Sequence, residues 1–282
     1  MSRPAPGPVC ALYVPGDRPE RFAKAAVSGA DLVVIDLEDA VAPAAKAAAR
    51  EYAADYLTGS TSSIPVALRI NSRRSEAFAD DMSLLRQLAG SGRLPAEVRV
   101  PKVESPADVA DVAGIPGIAI AALIETARGL VAVHEIAAAK GIVSIGLGES
   151  DLRSELMVDG DIGMAHPRSV LVIAAAAAGL RAPALAAYPD LPDLDGLAGS
   201  CAAGRALGCY GRTAIHPSQV AVIRHAFAPT ASEIRAAQDI IARLDAGRRS
   251  DHGAVRTDSG AMADPAMRGW AETILARAYR RG

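Results

Sequence analysis

Short apolar runs that end in a charged or polar side chain recur along this chain, separated by Ala-rich helical stretches. No other feature restricts its fold as much. The runs are "VCALYVPG" (9–16), "DLVVIDLE" (31–38), "PVALRIN" (65–71), "EVRVPKVE" (97–104), "GIAIAALIET" (117–126), "GIVSIGLG" (141–148), "PALAAYPD" (183–190) and "RTAIHP" (212–217). Near-continuous apolar strands joined by helices predict a parallel sheet covered on both faces. Helices are expected over 19–28, 43–57, 76–88, 127–139, 167–178, 194–207 and 217–227. Eight strands with eight crossovers predict an α/β protein built on a closed (β/α)8 barrel over residues 1–228. An open doubly wound sheet is the competing topology. Against it, no G-x-G-x-x-G follows the first strand, and the strand count is that of a barrel. Residues 229–282 read as a C-terminal helical tail. It comprises an amphipathic helix over 232–244, a polar Gly-rich connection over 245–260 that reads as mobile, and a second helix over 263–281. Such a tail suits a lid, or an arm that packs on a neighbouring subunit.

Composition narrows the partners. Net charge is −2, which gives no electrostatic case for nucleic acid or an anionic membrane. The longest uninterrupted apolar run, 170–180, falls short of the roughly 20 residues a bilayer span requires. The opening "MSRPAPGPV" has no apolar core of a signal peptide. Cys10, Cys201 and Cys209 are odd in number and lack metal-ligand spacing, so free thiols in a reducing, cytoplasmic setting are expected.

In a barrel the carboxyl ends of the strands converge on one face, where active sites are built. Those ends carry Asp36 with Glu38, Arg69 with Asn71, Lys102 with Glu104, Glu125, Glu149 with Asp151, Asp190 and His216. Some have modest explanations, since Asp and Ser often cap the helix after a strand, and Asp39 is a candidate for that role. Glu125 resists this explanation. It follows a long apolar run, and Thr126 is available to cap instead. A carboxylate so placed needs a partner charge or a metal.

Glu125 and Asp151 end consecutive strands, and adjacent strands lie about 4.8 Å apart, so both can reach one hard cation. Two carboxylates completed by water and ligand oxygens describe Mg2+ better than Zn2+. Arg69 offers a planar fork for a substrate carboxylate, or alternatively a structural ion pair with Asp36 or Glu38. The two roles are compatible if Glu38 orients Arg69. Lys102 is a candidate Schiff-base lysine, the weaker reading given Glu104 beside it and the metal pair. His216, followed by Pro217, fits a tight strand-to-helix turn.

"LYVPGDRPERFAKAAVSGADLVVIDLEDAVAPAAKAAAR", "LRIN", "VPKVES", "LIETARGL", "GLGESDL" and "GRTAIHPSQV" follow one another in order. Together they resemble the citrate lyase β-subunit family, within the wider group of HpcH/HpaI-type aldolases and malyl-CoA lyases, over essentially the whole chain. The resemblance implies a modified TIM barrel that assembles as a trimer or hexamer. It implies Mg2+-dependent cleavage or formation of a carbon–carbon bond between an acyl-CoA thioester and a keto acid. Glu125 and Asp151 match the metal ligands, and Arg69 matches the arginine on the keto-acid carboxylate. Glu38 matches an acidic residue beside that arginine, and Gly148, Glu149 and Ser150 match the loop around the keto acid. Asp264, in "GAMADPAM", matches an acid/base that projects into a neighbouring subunit's site. The chain departs from the family at Arg212, where lysine is usual, and at Pro265, which directly follows Asp264.

Two further functions compete with the CoA-thioester lyase. One is a CoA-independent aldolase or decarboxylase of a free keto acid, which the absence of histidine before residue 102 disfavours. The other is a non-catalytic subunit of a larger lyase assembly.

Overall fold

The structure is a computed structural model that describes residues 7–249, 255–256 and 262–279. Eight parallel strands form the core. They are β1 (Cys10–Pro15), β2 (Leu32–Asp36), β3 (Val66–Arg69), β4 (Glu97–Val100), β5 (Ile120–Ile124), β6 (Ile142–Leu147), β7 (Ala184–Leu185) and β8 (Gly211–Ala214). Their order, β6-β5-β4-β3-β2-β1-β8-β7, is that of a barrel whose ladder stops between β6 and β7. One backbone bond, Arg181 N to Val143 O at 3.4 Å, crosses that seam. This nearly closed barrel excludes the doubly wound alternative, which would reverse strand order partway along the sheet.

Helices cover the strands: α1 (Phe22–Ala26), α2 (Lys46–Gly59), α3 (Phe78–Gly90), α4 (Ala110–Ala113), α5 (Ala127–Val131), α6 (Val133–Ala137), α7 (Glu149–Leu156), α8 (Gly160–Ala177), α9 (Leu194–Ala206) and α10 (Ser218–Phe227). Thr126 caps α5 by accepting from Gly129 N at 3.1 Å, as its position beside Glu125 predicts. The expected helix over 167–178 starts earlier. Asp159 caps α8 by accepting from Gly160 N at 2.8 Å, and Pro167 lies inside the helix rather than at its first turn. The crossover between β4 and β5 carries α4, which the sequence pattern does not announce.

Alternate residues of each strand face two different layers. Leu12, Val33, Ile35, Leu68, Val98 and Val100 pack outward against the helices in the main core. Ala11, Leu32, Val34 and Ala67 form a smaller cluster with Tyr13 inside the barrel. All three cysteines are free and buried. Among the described residues, no helix is long and apolar enough to cross a membrane.

Residues Met1–Phe227 and Ala228–Gly282 form two compact units. In the second, α11 (Ala231–Arg249) and α12 (Arg268–Tyr279) share a core of Ala237, Ile240, Leu244, Ala263, Ala271 and Ile274. The connection expected over 245–260 is helical through residue 249, and β9 (Val255–Arg256) pairs antiparallel with β10 (Met262–Ala263). The rest of that connection lies outside the described residues.

Candidate active site at the carboxyl end of the barrel

Strands β2 and β3 deliver their charges as a finished unit. Asp36 and Arg69 are register partners, and Arg69 presents both Nε and Nη2 to the Asp36 carboxylate, at 2.7 and 2.6 Å. Asp36 also accepts from the backbone of Glu38 at 2.9 Å and of Ala40 at 3.1 Å. Both of its oxygens are therefore fully used. Arg69 Nη1 lies 3.0 Å from Glu38 Oε2, close enough for charge attraction. The structural ion pair weighed for Arg69 thus exists with Asp36 first and Glu38 second. It consumes the Nε edge of the fork, and the remaining Nη protons face the cavity that Arg69 lines.

The turn after β2 is pinned from below. Lys46 Nζ donates to the carbonyls of Leu37 and Glu38, both at 2.8 Å, and to Asn71 Oδ1 at 2.7 Å. Asn71 in turn donates to Leu37 O and to the buried Asp81. Lys46 is thereby committed to holding this loop. Lys102 Nζ sits 3.1 Å from Glu38 Oε1 on a backbone with φ of 55°. Some burial works against its charge, yet the Glu38 and Asp39 carboxylates hold the ammonium above its ordinary pKa. An amine so protonated is a poor Schiff-base nucleophile. Burial raises the Glu38 pKa, and Arg69 opposes that shift.

Strands β5 and β6 deliver a different kind of group. Glu125 is 4% exposed, and its Oε2 has no hydrogen-bond partner among the described residues. Burial pushes its pKa up to about 8, and the negative charges of Glu38 and Asp151 add to that rise while Arg69 opposes it. Gly148 packs against this carboxyl so closely that a Cβ there would collide with Glu125 Cγ and Oε1. The backbone N–H of Gly148 is spent on Ile124 O at 2.9 Å. The contribution of Gly148 to the site is therefore a missing side chain rather than a donor. Glu149, Ser150 and Asp151 begin α7, where first-turn N–H groups lack partners within the helix.

Glu149 is not free to touch a ligand through its carboxylate. Arg168, on α8, grips it with Nε at 2.9 Å and Nη2 at 2.7 Å, and Arg153 adds a bond at 3.2 Å. Asp161 accepts from the same two arginines and from Ser200. This network fixes the start of α7, and with it the placement of Asp151. Neither Arg168 nor Asp161 stands out in the sequence, because Glu149 and Arg153 lie on α7 and Ser200 on α9.

Arg69, Glu125, Glu149, Ser150, Asp151 and Asp39 line one cavity of about 250 Å3. Glu38 stands behind Arg69. Asp264 belongs to the second compact unit, where its Oδ1 accepts from Ala266 N at 2.9 Å. His216 is exposed and bonds Ser218 at 2.8 Å, a local turn contact. Asp39 caps no helix, since the segment after it starts at Pro43 behind Ala42. Among the described residues, no group of three or more Asp, Glu, His or Cys is arranged to hold a metal. A buried carboxylate with an unpartnered oxygen, next to a second carboxylate, does fit a hard cation that takes its other ligands from water and substrate.

Comparison with known proteins gives a consistent result. A family profile described as HpcH/HpaI aldolase/citrate lyase matches residues 10–217. Another, described as a C-C bond lyase of the TIM-barrel fold, matches residues 180–282. A citrate lyase subunit beta-like protein of Mycobacterium tuberculosis is 38% identical over 276 residues, covering 95% of this chain and 94% of that protein. An L-malyl-CoA/beta-methylmalyl-CoA lyase of Cereibacter sphaeroides is 29% identical over 302 residues, covering 95% of this chain and 94% of that protein. The crystal structure of CitE from Mycobacterium tuberculosis in complex with magnesium, acetoacetate and coenzyme A has a TM-score of 0.79 at 37% identity, covering 98% of this chain and 99% of that one.

Proposed function

Because this chain belongs to the HpcH/HpaI aldolase/citrate lyase family, we propose that the carboxyl-end cavity is the active site of a magnesium-dependent carbon–carbon lyase. Its substrate class is a 3-hydroxyacyl-CoA thioester, split into an acyl-CoA and a 2-keto acid such as oxaloacetate or glyoxylate. The observation that carries this reading is the orphaned, buried carboxyl of Glu125 beside Gly148 and Asp151.

Glu125 and Asp151 hold the Mg2+. When bound, the ion supplies a Lewis acid for the negative charge that develops on the substrate hydroxyl oxygen. The remaining Nη protons of Arg69 bind the keto-acid carboxylate, and Asp36 and Glu38 keep the guanidinium in place. The first-turn N–H groups of α7, at Glu149 and Ser150, orient the same acid. Asp264 exchanges the proton on the α-carbon of the thioester, accepting it in the condensation direction and returning it in cleavage. In this reading the tail delivers Asp264 to a neighbouring copy in a trimer or hexamer.

Direct titration of Mg2+ by calorimetry, followed by product analysis with malyl-CoA and citramalyl-CoA, tests the proposal. Acyl-CoA and keto acid in equal amounts, only with Mg2+, is the expected result. Turnover of free keto acid without CoA would instead identify an aldolase or decarboxylase. Purified protein that binds Mg2+ yet turns over neither class would place the chain as a subunit of a larger assembly.

A further inference from the structure

The cavity beneath the rim does not end at Glu125 and Asp151. Its wall continues down the barrel past Leu123 and Ser144 to Tyr13, Glu97, Arg99 and Arg181. Branched side chains normally fill a barrel interior in layers. Here Ala121, Ser144 and Gly146 take part of that lining, which leaves open volume next to polar groups.

Arg99 is the centre of this region. Its side chain is 10% exposed. Nε donates to Glu97 Oε1 and Nη1 to the Tyr13 hydroxyl, both at 3.2 Å. Among the described residues, Nη2 has no partner. The Tyr13 hydroxyl accepts from Arg99 and so keeps its own proton to give. Glu97 divides its oxygens, one to Arg99 and the other to Arg181 Nη1 at 3.2 Å. One carboxylate therefore answers two guanidinia, and this stretch of wall carries positive charge in excess. The ring of Tyr13 lies against both arginines, with the Arg69 and Arg99 guanidinia 5.1 and 5.3 Å from its centroid.

We infer that the barrel interior is a second binding subsite, in which Arg99 and Tyr13 receive the carboxylate of a small organic acid. A low-dielectric wall with surplus positive charge and uncommitted N–H and O–H donors attracts an anion. A planar carboxylate matches the guanidinium edge together with a phenol. Arg99 is the register partner of Ala121 on β5 and of Arg69 on β3, so the subsite starts beside Arg69 and lies below Glu125, which is four residues beyond Ala121. An acid held at the rim that carries a second carboxylate can therefore present that end to Arg99. This last assignment rests on the rim being the metal and keto-acid site. The subsite itself does not.

Glutarate and pentanoate have equal length and differ by one carboxylate. Titrating each into the full chain by calorimetry, with and without Mg2+, separates the sources. If the carboxylate belongs to a rim-bound acid, glutarate binds at least about tenfold tighter than pentanoate only with Mg2+, and Arg99→Met removes that preference. If the interior takes free carboxylates, both acids bind the metal-free protein, and Arg99→Met weakens both. Either pattern supports the subsite. Tyr13→Phe, which removes one oxygen and leaves the ring, must weaken whichever pattern appears, so a folding defect in Arg99→Met does not decide the matter. The inference is overturned if neither acid binds in either state, or if both variants bind them as the wild type does. Mg2+ titrated into the same wild-type protein reports on the rim separately. A chain that fails to bind Mg2+ but binds both acids loses the rim reading and keeps the subsite.

Discussion

The two halves of the barrel rim are provisioned in opposite ways. At β2 and β3 the charges are paired: Asp36 has four donors, Arg69 has two carboxylates, Glu38 lies between Arg69 and Lys102, and Lys46, Asn71 and Asp81 complete a network with the turn after β2. At β5 and β6 the buried Glu125 faces the cavity with an unpartnered oxygen and a pKa pushed up to about 8 by burial. A satisfied cluster rigidifies a site, whereas an unsatisfied one carries a penalty that a ligand can relieve. The contrast makes the first half a rigid seat for Arg69 and leaves the second half, on the proposed reading, to answer an ion.

The most severe test is to remove the proposed ligands. Glu125→Gln and Asp151→Asn should each abolish calorimetric Mg2+ binding and lower turnover beyond the roughly 10–100-fold typical of losing an outer-shell partner. Glu125→Gln should also leave the metal-free melting temperature unchanged or higher, because it removes a buried carboxyl whose Oε2 has no hydrogen-bond partner among the described residues. A clear drop in metal-free stability would mean that Glu125 has a structural partner, and the contrast would fail. The converse holds for Asp36→Ala. Losing the partner of the part-buried Arg69 should destabilise the fold by about 3–5 kcal/mol in a denaturant melt. A cost below about 1 kcal/mol would show that the β2–β3 half is not a scaffold.

Gly148→Ala sharpens the boundary between the halves. Its new methyl group would push into the Glu125 carboxyl, so Mg2+ affinity should fall by about 10–100-fold. The associated fold destabilisation is expected at about 1–3 kcal/mol. The smallest effect belongs to Asp161. Burial alone would raise its pKa, but hydrogen bonds from Arg168 and Ser200 and the Arg168 charge outweigh that and hold it at about 2. Its unfolded value is 3.8, so its stabilisation is complete above that pH and is lost as the pH falls toward 2. With its side chain part-exposed, the contribution is of order 1 kcal/mol after screening. Asp161→Asn should flatten the stability-versus-pH curve in that window by this amount.

Much of this was legible in the residues, for a physical reason. Apolar strands announce themselves, and polar groups at their ends have no part in a core, so Asp36, Glu38, Arg69, Glu125 and Asp151 could be placed on one rim in advance. The Asp36–Arg69 pair was visible as an alternative because both residues end adjacent strands. Partnerships between helices were not visible. Arg168 and Glu149 are 19 residues apart on separate elements, so no local period links them. The polar interior had a signal that is easily passed over. "EVRV" alternates polar and apolar residues, which places Glu97 and Arg99 on one face of β4 and Val98 and Val100 on the other. A strand apolar on both faces would not alternate in that way. The end of α8 near Gly160 was missed because Pro167 looks like a first-turn residue.

β7 is two residues long, and the ladder stops beside it, so the wall on that side of the barrel is held by few main-chain bonds. Amides without ladder partners exchange with solvent through small local openings rather than global unfolding. Deuterium should therefore label residues 182–187 before any other barrel strand. Transient parting along this line would give a small acid a route to Arg99 from the flank, without passing the rim.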